Sequence, residues 1–223
     1  MPAESLEFLR RLGNKSRANR NGISIVRGTI DRRSIEVIHT GVGENICRER
    51  ITKFLENQQF DFLVSAGFAG SLNHKLQVND LLLAKNFSTV DLKHASFSNV
   101  SIYSANMLTV PALIDSSEER ERMARESGAS AVDMETEFIA RACAIHGIPL
   151  LALRVITDTP TQPFPGPPGV LFDIQRQRTH IAVLAKFFLA HPRRMPGLIQ
   201  IARRISRARK TLSNALVRIV GDL

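Results

Sequence analysis

The stretches Ala131-Val-Asp-Met-Glu135 and Arg154-Val-Ile-Thr-Asp158 decide the fold, because the chain between them is predicted to turn back on itself. Apolar residues recur with helical period over 134–144, and the following Gly147 is typical of a helix end. Residues 149–156 are an apolar run typical of a buried strand. A helix of about a dozen residues and a strand of about seven have similar lengths, at about 1.5 and 3.3 Å per residue. Glu135 and Asp158 are therefore predicted to meet at one sheet edge.

The polar residues of these stretches admit a structural interpretation as well as a functional one. Asp133 and Glu135 would complement the positive end of a helix dipole, and Asp158, which stands before Thr159 and a proline, could cap a turn. Arg154 lies inside the apolar run and needs an acceptor such as a carboxylate. Ligands bind at the carboxyl edge of the strands in open α/β sheets, so the functional interpretation is a polar site at that edge.

The rest of the chain reads as alternating strands and helices. A hairpin is predicted from two strand-like segments that flank the polar turn Asp31-Arg32-Arg33, and Gly41-Val42-Gly43 leads into a helix. The predicted ranges are strands at 22–28, 35–39, 62–66 and 81–84, a helix at 44–57, and a possible strand at 100–103.

Four separated segments carry a family resemblance. They are residues 65–72, 76–84, 131–136 and 154–158. In this order and spacing they resemble the purine nucleoside phosphorylase and nucleosidase superfamily, and most of all its methylthioadenosine/S-adenosylhomocysteine nucleosidases. The resemblance implies an α/β fold of three layers, α/β/α, with a mixed central sheet, formed by residues 1–190.

The resemblance also assigns roles to individual residues. Asp158 matches the general acid that protonates N7 of the purine, since a neutral base leaves more easily than an anion. Glu4 matches the glutamate that activates water, although an acid in a first helical turn is also common for structural reasons. Glu135 would bind the ribose hydroxyls and Arg154 would orient a carboxylate. The other implied substrate-binding residues are Met134, Phe68, Ala69, Gly70 and Leu108.

Three departures from the family pattern bear on activity. The family begins with a strand inside the sheet, whereas this chain begins at Met1-Pro2 and that first strand is apparently missing. Its neighbours are then expected to have unpaired backbone groups. Ser65 stands where phosphorylases of the superfamily have a phosphate-binding arginine, so we expect water as the acceptor. Phe68 replaces a small hydroxyl residue, which affects the placement of the nucleophile.

The positive charge of the chain is concentrated at its C-terminal end. Residues 174–223 contain 11 Lys and Arg and one acidic residue, a net charge of +10. From Leu198 onward apolar residues recur every three or four positions, which predicts an amphipathic basic helix within an extension at 191–223. The segment 191–199 resembles the end of hopanoid-associated members of the family. The helix is expected either to contact anionic lipid or to pack on protein, and a chain ending near Ala190 is expected to stay active.

Composition limits the remaining possibilities. Cys47 and Cys143 have no disulfide or metal spacing, and a reducing cytoplasm is the expected location. The resemblance implies no cofactor and no metal, a small-molecule nucleoside as substrate, and a homodimer. The basic helix contains no aromatic residue for base stacking, which argues against nucleic acid, and peripheral contact with an anionic membrane is the alternative partner.

Two classes of function are therefore open. The first is a nucleosidase that hydrolyses the N-glycosidic bond of a 5′-substituted adenosine and releases adenine, with an adenosyl-lipid nucleosidase or a phosphorylase as variants. The second is a non-catalytic nucleoside-binding relic of the same fold, which the missing strand and Phe68 favour.

Overall fold

The computed structural model describes residues 2–90, 101–114, 116–163 and 195–222. Its helices are α1 Pro2–Arg11, α2 Glu44–Leu55, α3 Ser117–Ser127, α4 Thr136–His146 and α5 Met195–Asp222. Its strands are β1 Gly13–Arg20, β2 Ile23–Ile30, β3 Arg33–Val37, β4 Leu63–Ser71, β5 Leu81–Ala84, β6 Ile102–Ala105, β7 Met107–Thr109, β8 Ala131–Asp133 and β9 Leu150–Asp158.

The strands form a meander and a larger mixed sheet. The meander has the order β1-β2-β3 and the larger sheet the order β6-β5-β9-β4-β8-β7. β4 and β9 run parallel at the centre of the larger sheet, whereas β5 is antiparallel to β9 and β8 is antiparallel to β4. The apolar run 150–156 becomes the fully buried strand β9, as its sequence predicts.

Helices cover both faces of these strands. On one face α2 and α4 share a core cluster that includes Ile51, Phe54, Ile139 and Leu150. On the other face α1 and α5 pack against β9 through a second cluster that includes Phe8, Leu153 and Leu212. The predicted three-layer α/β/α fold with a mixed central sheet is therefore confirmed.

Four elements were not predicted as a strand or a helix from the sequence, namely β1, β7, β8 and α3. β1 is polar and almost entirely exposed, so it has no apolar alternation, and it extends the predicted hairpin of β2 and β3 by edge pairing. The turn between β2 and β3 places Asp31 and Arg32 at φ 47° and 69°, the conformation of a tight hairpin turn. α3 is so rich in charged residues that it has no apolar stripe. The sequence features that indicate this helix are its capping residues, Ser116 and Gly128.

The expected gap beside the first helix is present among the described residues. α1 is the element that begins this part of the chain, and β1 follows it directly. β4 is paired with β9 along its whole length, but its other edge pairs with β8 only at Gly70 and Ser71. Residues 63–69 of that edge have no strand partner within the described ranges.

The long C-terminal helix packs as part of the core. Ala208, Leu212, Ala215 and Ile219 of α5 are buried in the cluster that also contains Phe8 of α1. The apolar stripe that could have met lipid is therefore covered by protein from Ala208 onward, and the packing alternative is correct for this stretch. The predicted boundary at residues 190 and 191 and residues 191–194 of the hopanoid-like segment lie outside the described residues.

Candidate active site

The predicted edge of the sheet is formed as the sequence indicates. Gly70 near the end of β4 pairs with Val132 of β8 on one side and with Asp158 of β9 on the other. α4 begins at Thr136, three residues after β8 ends at Asp133. The helix start and the strand end therefore share one edge, as the lengths of the two elements predict.

Asp158 is a buried acid at this edge. Its Oδ2 accepts a hydrogen bond from Nη2 of Arg120 at 2.5 Å, and its Oδ1 accepts one from Oγ1 of Thr157 at 3.0 Å. Burial raises the pKa of Asp158, and the Arg120 guanidinium opposes this change. The carboxyl lines a cavity of about 30 Å³ together with Gly70, Arg120 and Met134. This is the arrangement of an acid that can deliver a proton to a group bound beside β4.

Arg120 is a residue of this site that the sequence did not reveal. It lies on α3, is 4% exposed, and also donates to the carbonyl oxygens of Ser71 at 2.8 Å and Ile114 at 2.9 Å. The helix could have been found from its cap, because the side chain of Ser116 accepts from the amide of Glu119. Nothing in the sequence around α3 indicates which of its many charged residues is buried.

Gly70 is required by the close approach of β4 to this ion pair. A Cβ atom at this position would lie 2.8 Å from Oδ2 of Asp158 and 3.1 Å from Nη1 of Arg120. The pairing of β4 and β9 shifts register between Ala69 and Gly70, a bulge that places Gly70 opposite Asp158.

Arg154, which the resemblance assigns to substrate binding, pairs with a carboxylate of the protein itself, that of Asp133. Nε of Arg154 is 3.0 Å from Oδ2 of Asp133, and the remaining guanidinium N–H groups donate to Ser65, Thr136 and the carbonyl of Leu153. Asp133 in turn accepts from the backbone N–H of Thr136 and thereby fixes the start of α4. All five N–H groups of Arg154 are thus used inside the protein.

Glu135 follows this network and faces the loop before α2. Its Oε1 accepts from the backbone N–H of Gly43 at 3.0 Å. Burial, and next the nearby carboxylate of Asp133, raise the pKa of Glu135 to about 7. Cys47 lies beside it, and burial raises the pKa of the Cys47 thiol to about 12, which leaves this thiol protonated and excludes it as a thiolate nucleophile.

Glu4 reaches the same region from α1. Its Oε1 accepts from the backbone N–H of Phe68 at 3.2 Å. A Cβ atom at Gly67 would lie 3.3 Å from Oε1 of Glu4 and 3.8 Å from Nε of Arg154, so the carboxylate and the guanidinium lie on the same side of β4. The structure therefore brings the predicted Glu4 to the carboxyl half of β4.

The other predicted substrate-binding residues have different surroundings. Met134 lines the cavity at Asp158. The Phe68 side chain packs against the cluster between the sheet and α1 and α5, and Ala69 is buried in a cluster with Ile156. Leu108 packs against a further cluster that contains Val132. Among the described residues, no group of His, Cys, Asp and Glu side chains could hold a metal ion.

Sequence comparison places the chain beside known nucleosidases. The sequence profile of the phosphorylase superfamily matches residues 92–190. A 5′-methylthioadenosine/S-adenosylhomocysteine nucleosidase of Bacillus pumilus is 22% identical over 194 residues, which cover 70% of this chain and 81% of the relative. The enzyme of the same name from Baumannia cicadellinicola is 21% identical over 166 residues, covering 60% of this chain and 72% of the relative.

Structural comparison gives the same fold. The 5′-methylthioadenosine/S-adenosylhomocysteine nucleosidase of Helicobacter pylori has a TM-score of 0.73 at 19% identity, with 100% of this chain and 95% of that chain covered. The futalosine hydrolase of the same organism also has a TM-score of 0.73, at 18% identity, with 100% and 95% covered. The profile match and the shared fold confirm the resemblance of this chain to the phosphorylase superfamily and, within it, to the 5′-methylthioadenosine/S-adenosylhomocysteine nucleosidases.

Proposed function

We propose that the protein is a nucleosidase that hydrolyses the N-glycosidic bond of a 5′-substituted adenosine and releases adenine. The observation that carries this proposal is the buried acid Asp158, which lines a cavity beside Gly70 and Met134 at the carboxyl edge of the sheet. Two further carboxylates belong to the proposed site. Glu4 accepts a hydrogen bond from the backbone of Phe68 in β4, and Glu135 accepts one from the backbone of Gly43 before α2. The curated relatives named above act on substrates of this class.

The reaction assigns a separate task to each carboxylate. Water attacks C1′ of the sugar, and Glu4 takes its proton. The bond between C1′ and N9 breaks, and Asp158 protonates N7 so that adenine leaves as a neutral base. Glu135 accepts hydrogen bonds from the ribose hydroxyls, and its ionised form accepts them more strongly than its neutral form. The products are adenine and the free 5′-substituted sugar.

Arg120 has a positioning role in this scheme. It holds Asp158 through a charge-assisted hydrogen bond and is itself held by the carbonyls of Ser71 and Ile114. Both partners of the pair are buried, so the carboxyl cannot turn away from the cavity without leaving a buried charge unpaired.

We propose water as the acceptor because Arg154, the buried arginine beside Ser65, has no N–H group left to bind phosphate. Each N–H of Arg154 already contacts an acceptor of the protein, and Ser65 itself accepts two of these bonds, through its carbonyl oxygen and its Oγ. Product analysis tests this proposal. A rate independent of phosphate and a free sugar product are expected, whereas a sugar 1-phosphate would identify a phosphorylase.

The substrate is proposed to be methylthioadenosine or S-adenosylhomocysteine, in line with the names of the curated relatives. Incubation with a panel of 5′-substituted adenosines, followed by measurement of free adenine, tests the activity directly. Asp158→Asn serves as the matched negative control. If no member of the panel yields adenine while nucleosides still bind, the protein is a non-catalytic binding relic of the fold.

A homodimer is part of the proposal. Leu113 lines the cavity at Asp158 and yet is 41% exposed. Apolar side chains at the mouth of a site are typical of a surface that a second subunit covers. Light scattering of the purified protein over a range of concentrations tests this state.

Contact with an anionic membrane is the weaker partner proposal. Arg203, Arg207, Lys210 and Arg218 of α5 remain exposed, but the apolar stripe beside them is buried from Ala208 onward. Only electrostatic attraction is then available, so binding to anionic vesicles is expected at low salt and is expected to vanish at about 0.15 M salt. Among the described residues no helix is both long and apolar enough to span a bilayer.

A further inference from the structure

His39 stands between the segments that hold two of the proposed active-site carboxylates. It follows β3, and the loop after it ends at Gly43, whose backbone N–H donates to Glu135 at 3.0 Å. The ring Nε2 of His39 lies 2.7 Å from Oγ of Ser5, the residue next to Glu4 in α1. One side chain therefore connects the helix that carries Glu4 with the loop that holds Glu135.

The backbone of this loop is fixed separately, by α2. Nη1 of Arg50 donates to the carbonyl oxygen of His39 at 3.1 Å. The backbone N–H of Cys47 donates to the carbonyl oxygen of Gly43, also at 3.1 Å. Both ends of the loop are thus held by contacts that do not involve the His39 ring. The hydrogen bond between the ring and Ser5 has a different effect, which is to connect α1 to the loop.

The charges around His39 indicate that the two carboxylates face a common space. Burial and then Asp133 are the main causes of the raised pKa of Glu135, and the Glu4 carboxylate raises it further. Burial is the main cause of the lowered pKa of His39, which Glu4 opposes and the Arg50 charge reinforces. The His39 ring is therefore neutral at pH 7, and it forms its hydrogen bond to a hydroxyl group without placing a further buried charge beside the site.

The distance between the two carboxylates matters for the proposed reaction. Glu135 holds the sugar, and Glu4 takes the proton from the water that attacks C1′. A displacement of about 1 Å between reacting groups can lower a rate by about a hundredfold. The bond from the Phe68 amide to Glu4, at 3.2 Å, fixes Glu4 relative to the sheet. The bond between Ser5 and His39 fixes the same segment relative to the loop.

We infer that His39 is a positioning residue of the site, which sets the distance between Glu4 and Glu135 through its hydrogen bond to Ser5. The inference rests on the proposed function, because it concerns the step in which water attacks the sugar. His39 acts through Ser5 and the loop, and it neither gives nor takes a proton in this step.

Hydrogen exchange tests the connection without turnover. His39→Leu removes both ring nitrogens, His39→Gln keeps a polar group that can reach Ser5, and His74→Leu is a matched control at an exposed histidine. The Phe68 amide is expected to exchange about tenfold faster in His39→Leu, the effect of losing about one hydrogen bond. The amide of Leu153 in β9 serves as internal reference, and the other two variants are expected to match the wild type.

Kinetics test the role of His39 in the reaction, with the 5′-substituted adenosine that the wild type cleaves. Since Glu4 acts on water and not on the bound sugar, His39→Leu is expected to lower kcat by about tenfold or more and to leave KM nearly unchanged. Ser5→Ala is expected to lower kcat to the same extent. The double variant is expected to be no slower than either single variant, because all three changes break one hydrogen bond. His39→Gln is expected to restore most of the wild-type kcat.

Three results would overturn the inference. The first is unchanged exchange of the Phe68 amide in His39→Leu. The second is faster exchange at Phe68 and Leu153 alike, which would make His39 an ordinary packing residue. The third is additive losses of kcat in the double variant of Ser5 and His39. A wild-type protein that releases no adenine from any nucleoside would instead overturn the proposed function, and the exchange measurements do not depend on that result.

Discussion

The two central parallel strands differ in how completely they are enclosed. β9 is buried at all nine positions and has a neighbour on each edge, β4 along its length and β5 over residues 153–155. β4 alternates between half-buried and buried positions, and its second edge is open over residues 63–69. Asp158 and Arg154 lie on the enclosed strand, whereas Glu4 contacts the open one. The acid Asp158 is therefore built into the core, and the proposed water-activating Glu4 borders the open edge of β4.

The largest expected effect comes from deleting α5, the helix that covers β9. Leu153 and Val155 of β9 share a buried cluster with Leu212 and Ile219 of α5. A chain that ends before residue 195 loses this cover, so we expect it to unfold rather than to stay active, contrary to the expectation from sequence. Circular dichroism of the truncated chain measures this, and a folded, active truncation would show that α5 is dispensable.

The next largest effect concerns Asp158 at the end of β9. Asp158→Asn removes the proton donor, and loss of a general acid lowers kcat by a factor of about 10² to 10⁴. Adenine release under saturating substrate measures the change. Turnover at the wild-type rate would remove Asp158 from the mechanism.

The partner of Asp158 provides a control for stability. Asp158→Asn leaves the Arg120 charge without its carboxylate, and breaking a buried ion pair costs about 3–5 kcal/mol of unfolding free energy. The carbonyls of Ser71 and Ile114 offset part of that cost. Arg120→Met combined with Asp158→Asn is therefore expected to be more stable than Asp158→Asn alone, yet equally slow.

Matched valine truncations compare the two strands directly. Val155 of β9 is fully buried, and Val64 of β4 is half-buried on the strand whose second edge is open. Val155→Ala is expected to cost about 2 kcal/mol of unfolding free energy, and Val64→Ala less than about 1 kcal/mol. Urea unfolding of both variants measures the difference. Equal costs would mean that the edge of β4 is enclosed after all.

A further expected effect is the pH dependence that Glu135 introduces. Its pKa is about 7 in the folded protein and 4.5 as the ordinary value, so the folded state binds the proton more tightly. The unfolding free energy should therefore fall as pH rises from 4.5 to 7. Each tenfold difference in proton affinity between the folded and unfolded states corresponds to about 1.4 kcal/mol.

Glu135→Gln isolates this contribution. The variant should match the wild type near pH 4.5 and exceed it by on the order of 1 kcal/mol or more at pH 8, because it has no carboxylate to bury. Thermal unfolding at both pH values measures the gap. A gap that is the same at both pH values would assign the difference to packing.

Much of the edge that holds the site could be predicted from the sequence. The apolar run of β9 and the helix stop at Gly147 were sufficient to place Asp158 and Glu135 at one edge. The ion pair between Arg120 and Asp158 could not be predicted, because it joins residues 38 positions apart and α3 has no apolar stripe. The same applies to Asp133, which looked like an ordinary helix-start acid and instead connects Arg154 to α4.

The periodicity of apolar residues alone could not predict that α5 is buried in the core. An amphipathic basic helix has the same pattern whether its apolar stripe meets lipid or protein, since both are apolar environments. What decides between them here is the complementary apolar surface formed by Phe8, Leu12 and β9, which comes from distant parts of the chain.

The pairing of α1 with α5 has a consequence for biosynthesis. Phe8 and Leu12 leave the ribosome long before the residues that cover them, Leu212 to Val220. At about 5–20 residues per second, the roughly 200 residues between them take about 10 to 40 s to synthesise. During that time these early apolar side chains lack their partners on α5. The part of the core between α1 and α5 can therefore form only after residues 212–220 have been made, and until then the apolar surface that α5 covers is open to aggregation.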